Sequence, residues 1–265
     1  MIGAIIGDIV GSRFEFNNIK TKDFELFHKD CDFTDDTVMT CAVAETLMRY
    51  EENGFQELSR LAADTLHEIG RKHPFCGYGG MFFRWMFSDD AKPYGSFGNG
   101  SAMRISPVGD AARNVEEAKL WSQAVTGVTH DHPEGLKGAE CAAVLNVSAR
   151  QADKAALKQL AHTYYELPYT VEEYRTRISD HGQETCQVSL PQSLTCFFEA
   201  DSFEDTIRNC ISIGGDCDTT AAIAGGIAAS FYGVPDWMKT KAMSYLTDDL
   251  AEIVERFDAF LLKGE

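Results

Sequence analysis

Residues 214–230 read Gly-Gly-Asp-Cys-Asp-Thr-Thr-Ala-Ala-Ile-Ala-Gly-Gly-Ile-Ala-Ala-Ser. Two carboxylates and a hydroxyl open an apolar run in which Ala221, Ala222, Ala224, Gly225, Gly226, Ala228 and Ala229 are all small. Glycine inside a soluble helix costs roughly 1 kcal/mol against alanine, so a run that keeps it points to close approach of another helix. The N-terminus holds a second segment of this kind. Gly3, Gly7 and Gly11 recur every four residues and line one face of a helix.

The acidic opening also has a counterpart. Thr34-Asp35-Asp36-Thr37 precedes the apolar stripe of Val38, Met39, Ala42, Val43 and Leu47. Each cluster reads as a helix cap, because Thr and Asp are ordinary N-cap residues and acidic groups suit a helix start. Capping needs one acceptor, and the second Asp of each cluster then adds only repulsion beside an apolar helix. Four carboxylates with two hydroxyls form an all-oxygen ligand set for a hard divalent cation such as Mg²⁺, Mn²⁺ or Ca²⁺. If the fold joins the clusters, they make a two-metal acidic pocket.

Helical signals dominate the rest of the chain. Asn114 with Glu117, and Thr170 with Glu173, have the spacing of capping boxes. Ser202 opens a run through Ile207 and Ile211 that stops at Gly214. Leu250, Ile253, Val254, Phe257 and Leu261 recur at helical spacing near the end. Period-two alternation is scarce. An all-α fold is expected, and residues 1–265, with no linker, repeat or low-complexity segment, read as one domain.

Composition bounds the function. The 265 residues carry 41 acidic and 24 basic side chains, a formal charge of −17, which repels phosphate backbones and argues against general nucleic-acid binding. Eight cysteines include no C-x-x-C pair and no zinc spacing. The apolar N-terminus lacks a basic flank and meets Asp8, unlike a signal peptide. No stretch has the length of a membrane span. A cytoplasmic protein with reduced thiols is expected.

Gly95-Ser96-Phe97-Gly98-Asn99-Gly100-Ser101-Ala102-Met103-Arg104 is either a plain turn or a cradle whose backbone N–H groups meet phosphate oxygens. It is not a Walker loop, because no Gly-Lys-Ser/Thr follows. His130 and His132 lack partners for a zinc site, and a hydrogen bond to a ligand or a structural role suits them better. No G-x-S-x-G appears, and no local motif makes any cysteine a nucleophile.

Taken in order, Gly7 to Glu15 (G-D-x-x-G-x-x-x-E), Thr34 to Thr37, Gly98 to Arg104 (G-N-G-S-A-M-R), Thr129 to Pro133 (T-H-x-H-P) and Gly214 to Thr219 resemble the ADP-ribosylglycohydrolase family, and the short length with the Gly77–Gly80 and Tyr94–Gly109 segments looks most like its bacterial members. The resemblance runs from residue 3 to about 235. It implies an orthogonal helical bundle with two divalent cations, Mg²⁺ or Mn²⁺, at the base of a cleft. Thr34, Asp35 and Asp36 match one ligand group, and Asp216, Asp218 and Thr219 the other. Asp35 also lies toward the substrate. Glu15 matches a carboxylate that approaches the metals, and Glu15 or Asp36 is the expected catalytic group for the attacking water. Gly98, Asn99, Gly100, Ser101, Ala102, Met103 and Arg104 match a loop around the diphosphate and ribose, and His132 a position near the substrate. Cys217 stands where serine or threonine is more usual and is expected to point into the core.

The implied reaction is cleavage of the bond between ADP-ribose and an acceptor, either arginine or serine on a protein or a small compound. Alternatives are another glycosidic substrate on the same scaffold, a silent ADP-ribose binder, or a two-metal phosphohydrolase, which would lack its usual His-Asp pairing. Loops around 72–95 and 163–190 are expected to select the acceptor.

Overall fold

The computed structural model describes residues 1–178 and 184–263. Fifteen helices occupy the described residues: α1 Ile2–Gly11, α2 Asp35–Glu52, α3 Leu58–Lys72, α4 Gly80–Met86, α5 Gly100–Met103, α6 Ser106–Ala111, α7 Val115–Thr126 and α8 Pro133–Ala149, followed by α9 Lys154–His162, α10 Val171–Arg177, α11 Cys186–Phe198, α12 Phe203–Ile213, α13 Cys217–Tyr232, α14 Asp236–Met243 and α15 Asp248–Lys263. Among the described residues the only β-type pairing is an isolated antiparallel bridge between Gly98 and Thr185. The fold is all-α. No helix among the described residues is long and apolar enough to cross a membrane.

The two small-residue segments pack on each other. A Cβ placed on Gly3 would sit 2.2 Å from the Gly225 carbonyl oxygen, and one on Gly7 would sit 2.2 Å from that of Ala221. At Gly11 it would lie 2.3 Å from the Asp218 Cα. The helices α1 and α13 therefore meet backbone to backbone. Every residue from Cys217 to Ala228 is buried, as expected of a helix with neighbours on all sides. Those neighbours are chiefly α1, α8, α11 and α12, with α5 and α6 at the edge. Next to this centre, α2 packs between α3 and α15, and its Val38–Leu47 stripe lies in the core.

Capping follows the sequence in part. Thr170 and Glu173 make a reciprocal box, and Ser202 accepts the Asp205 N–H at 3.1 Å. Asn114 accepts the Glu117 N–H, but the Glu117 carboxylate takes the Arg113 N–H and guanidinium instead of closing the box. Arginine one residue before the cap offers a charged donor, which outcompetes a neutral backbone amide.

Candidate active site

The N-termini of α2 and α13 bring the two acidic clusters to one end of a cavity of about 420 Å³. Glu15, Thr34, Asp35, Asp36, Asp216, Asp218 and Thr219 all line it. The clusters touch directly, because the Thr219 hydroxyl donates to Asp36 Oδ2 at 3.1 Å.

Capping explains little of this acidity. Thr34 does cap α2 through the Asp36 N–H, whereas α13 has no side-chain cap at all. Asp36 Oδ1 and Asp218 Oδ1 are buried and accept no hydrogen bond. Burial pushes the carboxyls of Asp35, Asp36 and Asp218 well above the usual range, and repulsion among the neighbouring acids adds to it. Glu15, half-buried, is raised to about 7, first by burial and then by Asp216, Asp8 and Glu184. The only cationic side chain on the cavity wall among the described residues is Arg104. Buried, oxygen-only donors with two unused carboxylate oxygens suit a hard cation.

Asp8 is the site residue that sequence reasoning missed. It is fully buried, and one carboxylate oxygen each of Asp8, Asp36 and Asp218 lie within 4.8 Å of one another. Its Oδ1 accepts the Thr34 hydroxyl at 2.7 Å, and its Oδ2 accepts the N–H groups of Thr34 and Thr37 at 2.9 and 3.1 Å. The Thr37 hydroxyl also donates to Oδ2. With both oxygens engaged, Asp8 works as an anchor that draws the first turn of α2 onto α1. Burial raises its pKa and these four donors oppose that rise. The available signal was an acidic residue set between Gly7 and Gly11 on an otherwise apolar helix.

The glycine-rich loop forms the adjoining wall. Gly98, Asn99, Gly100, Met103 and Arg104 line the cavity. Ser101 and Ala102 do not: they are buried, and the Ser101 hydroxyl donates back to the carbonyls of Gly98 and Gly135. The Asn99 side chain serves the acidic end, donating to Asp216 Oδ2 at 2.5 Å and to the Ser189 hydroxyl at 2.9 Å. Two expected phosphate donors are already engaged, since Gly98 N–H bonds to Ser96 Oγ and Asn99 N–H to the Glu184 carbonyl. Gly100 and Ser101 open α5, where N–H groups precede the first intrahelical acceptor.

The structure separates the two histidines. His130 lines the cavity and His132 does not. Pro133 is the first residue of α8, so His132 is its N-cap, and its Nδ1 accepts the Glu134 N–H at 3.1 Å while the ring packs on Phe97. His130 is buried, with Nδ1 2.7 Å from the Thr129 hydroxyl, which itself accepts from Arg104 Nη2 at 2.7 Å. Burial and the Arg104 charge hold His130 well below its ordinary pKa. A neutral imidazole thus faces the loop, its Nε2 3.4 Å from where a Cβ on Gly100 would lie. Arg104 is fully buried under Phe82, and its Nε has no hydrogen-bond partner. Burial lowers its pKa to about 10, and it stays charged at neutral pH.

Gly77, Gly79–Phe82 and Tyr94 add to the wall, with Phe16, Met39 and Ser96; the Asp35 N–H bond to the Cys76 carbonyl at 2.7 Å pins the chain before Gly77 to α2. From the 163–190 stretch Glu184 reaches the cavity, and residues 179–183 lie outside the described residues. Cys217 points away, buried, with its sulfur near the Gly11 carbonyl.

Comparison with known proteins adds an independent line. A model of the ADP-ribosylglycohydrolase family matches residues 1–264. ADP-ribosylhydrolase ARH3 of Homo sapiens is 24% identical, over 97% of this chain and 92% of its own length. ADP-ribosylarginine hydrolase Tri1 of Pseudomonas putida is 25% identical, over 97% of this chain and 76% of its own. The ADP-ribosyl-[dinitrogen reductase] glycohydrolase of Rhodospirillum rubrum is 30% identical over 54% of this chain and 50% of its own. A solved structure titled "ADP-ribosylglycohydrolase-related protein complex" superposes with a TM-score of 0.67 at 22% identity, covering 95% of this chain and 94% of that one. That last likeness is one of fold.

Proposed function

The chain belongs to the ADP-ribosylglycohydrolase family, and from that premise we propose that it hydrolyses the bond between ADP-ribose and an acceptor at the acidic end of this cavity. The observation that carries the reading is the pair of unpartnered buried oxygens, Asp36 Oδ1 and Asp218 Oδ1, on helices remote in sequence but facing one cavity. Thr34, Asp35 and Asp36 with Asp216, Asp218 and Thr219 are the residues we assign to holding two divalent cations, Mg²⁺ or Mn²⁺. Bound there, such cations neutralise the carboxylates and polarise sugar oxygens.

The remaining roles belong to the chain. Asp8 fixes Thr34 and the start of α2, and Asn99 fixes Asp216. Arg104 and Gly100 present donors along the loop wall beside the neutral His130 ring, suited to a diphosphate despite the negative field of the protein. Glu15 lines the cavity together with the acidic clusters, placed to take a proton from attacking water. We treat residues 1–265 as one such domain, which the match over 1–264 supports. Eight free cysteines suit a reducing compartment, in keeping with the cytoplasm.

Peptides ADP-ribosylated on arginine and on serine, together with a small ADP-ribosyl compound, test this reading. The expected result is metal-dependent release of free ADP-ribose from one of them, which also names the acceptor. Tight ADP-ribose binding with no release from any substrate would replace the hydrolase with a binder.

A further inference from the structure

The chain between α1 and α2 carries Glu15 but has no helix of its own. Asp216, Asp8 and Glu184 surround Glu15, and a neutral side chain fixes the backbone there. Asn18 Nδ2 donates to the carbonyls of Phe14 and Glu15 at 2.7 and 3.0 Å, and to that of Gly215 at 3.0 Å. Its Oδ1 accepts the Gly215 N–H in return. One amide thus ties the backbone at Glu15 to the turn that immediately precedes Asp216. Lys20 adds a second tie, from Nζ to the Ile213 carbonyl at 2.6 Å.

The turn is shaped to receive this amide. Gly214 and Gly215 have φ of 73° and 72°, left-handed values that suit glycine. A Cβ on Gly214 would come within 2.7 Å of Asn18 Oδ1 and 2.3 Å of Lys20 Nζ. The double glycine therefore leaves room for the tie as well as for the bend.

Resting on the hydrolase reading above, we infer that Asn18 is a positioning residue for turnover: it clasps the Glu15 segment to the Gly214–Gly215 turn and so sets where the Glu15 carboxylate stands relative to Asp216. Asn18 is not among the residues that line the cavity. Misplacement of a catalytic group by about 1 Å costs on the order of 100-fold in rate.

The test compares Asn18→Ala and Gly214→Ala with the wild type, counting active sites by ADP-ribose binding so that misfolded protein does not enter the rate. Both variants should lose roughly 10- to 100-fold in kcat, with KM and ADP-ribose affinity within about threefold of wild type. Amide hydrogen exchange, read without substrate, should quicken in residues 14–18 and at Gly215 together in Asn18→Ala. Unchanged kcat in Asn18→Ala, or exchange at Gly215 as slow as in wild type, overturns the inference. A wild type inactive on every ADP-ribosyl substrate would instead sink the hydrolase reading and the positioning role with it, while the exchange data still decide whether the clasp exists.

Discussion

Asp36 and Asp218 each bury an oxygen with no hydrogen-bond partner; a bound cation would remove that cost, as protonation does without one. Replacing either with alanine should abolish turnover, by at least about 100-fold, since even outer partners of metal ligands are worth 10- to 100-fold. The far-UV circular dichroism should not change. Near-wild-type rates from either purified variant would dismiss the metal assignment. Glu15→Ala should instead lower kcat by about 100- to 10,000-fold with little effect on ADP-ribose affinity, and equal losses in both would make Glu15 a binding group. The raised pKa of Asp36 also carries a stability consequence. A carboxyl whose folded pKa lies above its unfolded value stabilises the fold in acid and loses that contribution as pH rises through the folded pKa. In chelator, Asp36→Asn should therefore melt above wild type, by a margin that widens from about pH 4 to about pH 8. A margin that shrinks over that range contradicts the sign. With saturating Mg²⁺ the order should reverse.

At the scale of elements, the site depends on how closely α1 approaches α13. Gly7→Ala places a methyl against the backbone of Ala221, where no rotamer change can relieve it, and should cost about 3 kcal/mol or more. Melting should fall by roughly 5–10 °C, and an unshifted melting temperature would refute the close contact. Because Asp8 rides on α1 beside Gly7 and anchors Thr34, the variant should also weaken cation binding. Much of this level was legible beforehand. Apolar periodicity located α2, α12, α13 and α15, and glycine spacing flagged both surfaces of the tight contact. What did not show was pairing across the chain. The partners of Asp8 lie at the start of α2, and the distant partner of Asn18 lies 197 residues away at Gly215, where no local pattern marks them. His132 is a different case, because Pro133 at the first position of a helix already implied that the preceding residue is its cap.

Across the whole molecule, a formal charge of −17 surrounds a cavity that must accept an anionic nucleotide. Local chemistry offsets this: a buried, charged Arg104 and a neutral His130, joined by the cations we propose for the acidic end. Divalent cation binding should be stabilising, because it occurs only in the folded state. At one hundred times its Kd a single ion adds about 2.7 kcal/mol, or roughly 5–10 °C in melting temperature, and chelator should reverse the shift. The helical architecture and both acidic clusters could be read from the sequence because they are local patterns. The division of the loop at 98–104 into lining and buried residues could not, since it follows from the bridge to Thr185 and the contacts of Ser101. The most direct test is release of free ADP-ribose from an ADP-ribosyl substrate by wild type and Asp218→Ala, each assayed in Mg²⁺ and in excess chelator. Turnover only by wild type in Mg²⁺ is the predicted result. Equal turnover by wild type with and without metal, or by Asp218→Ala, would contradict the account.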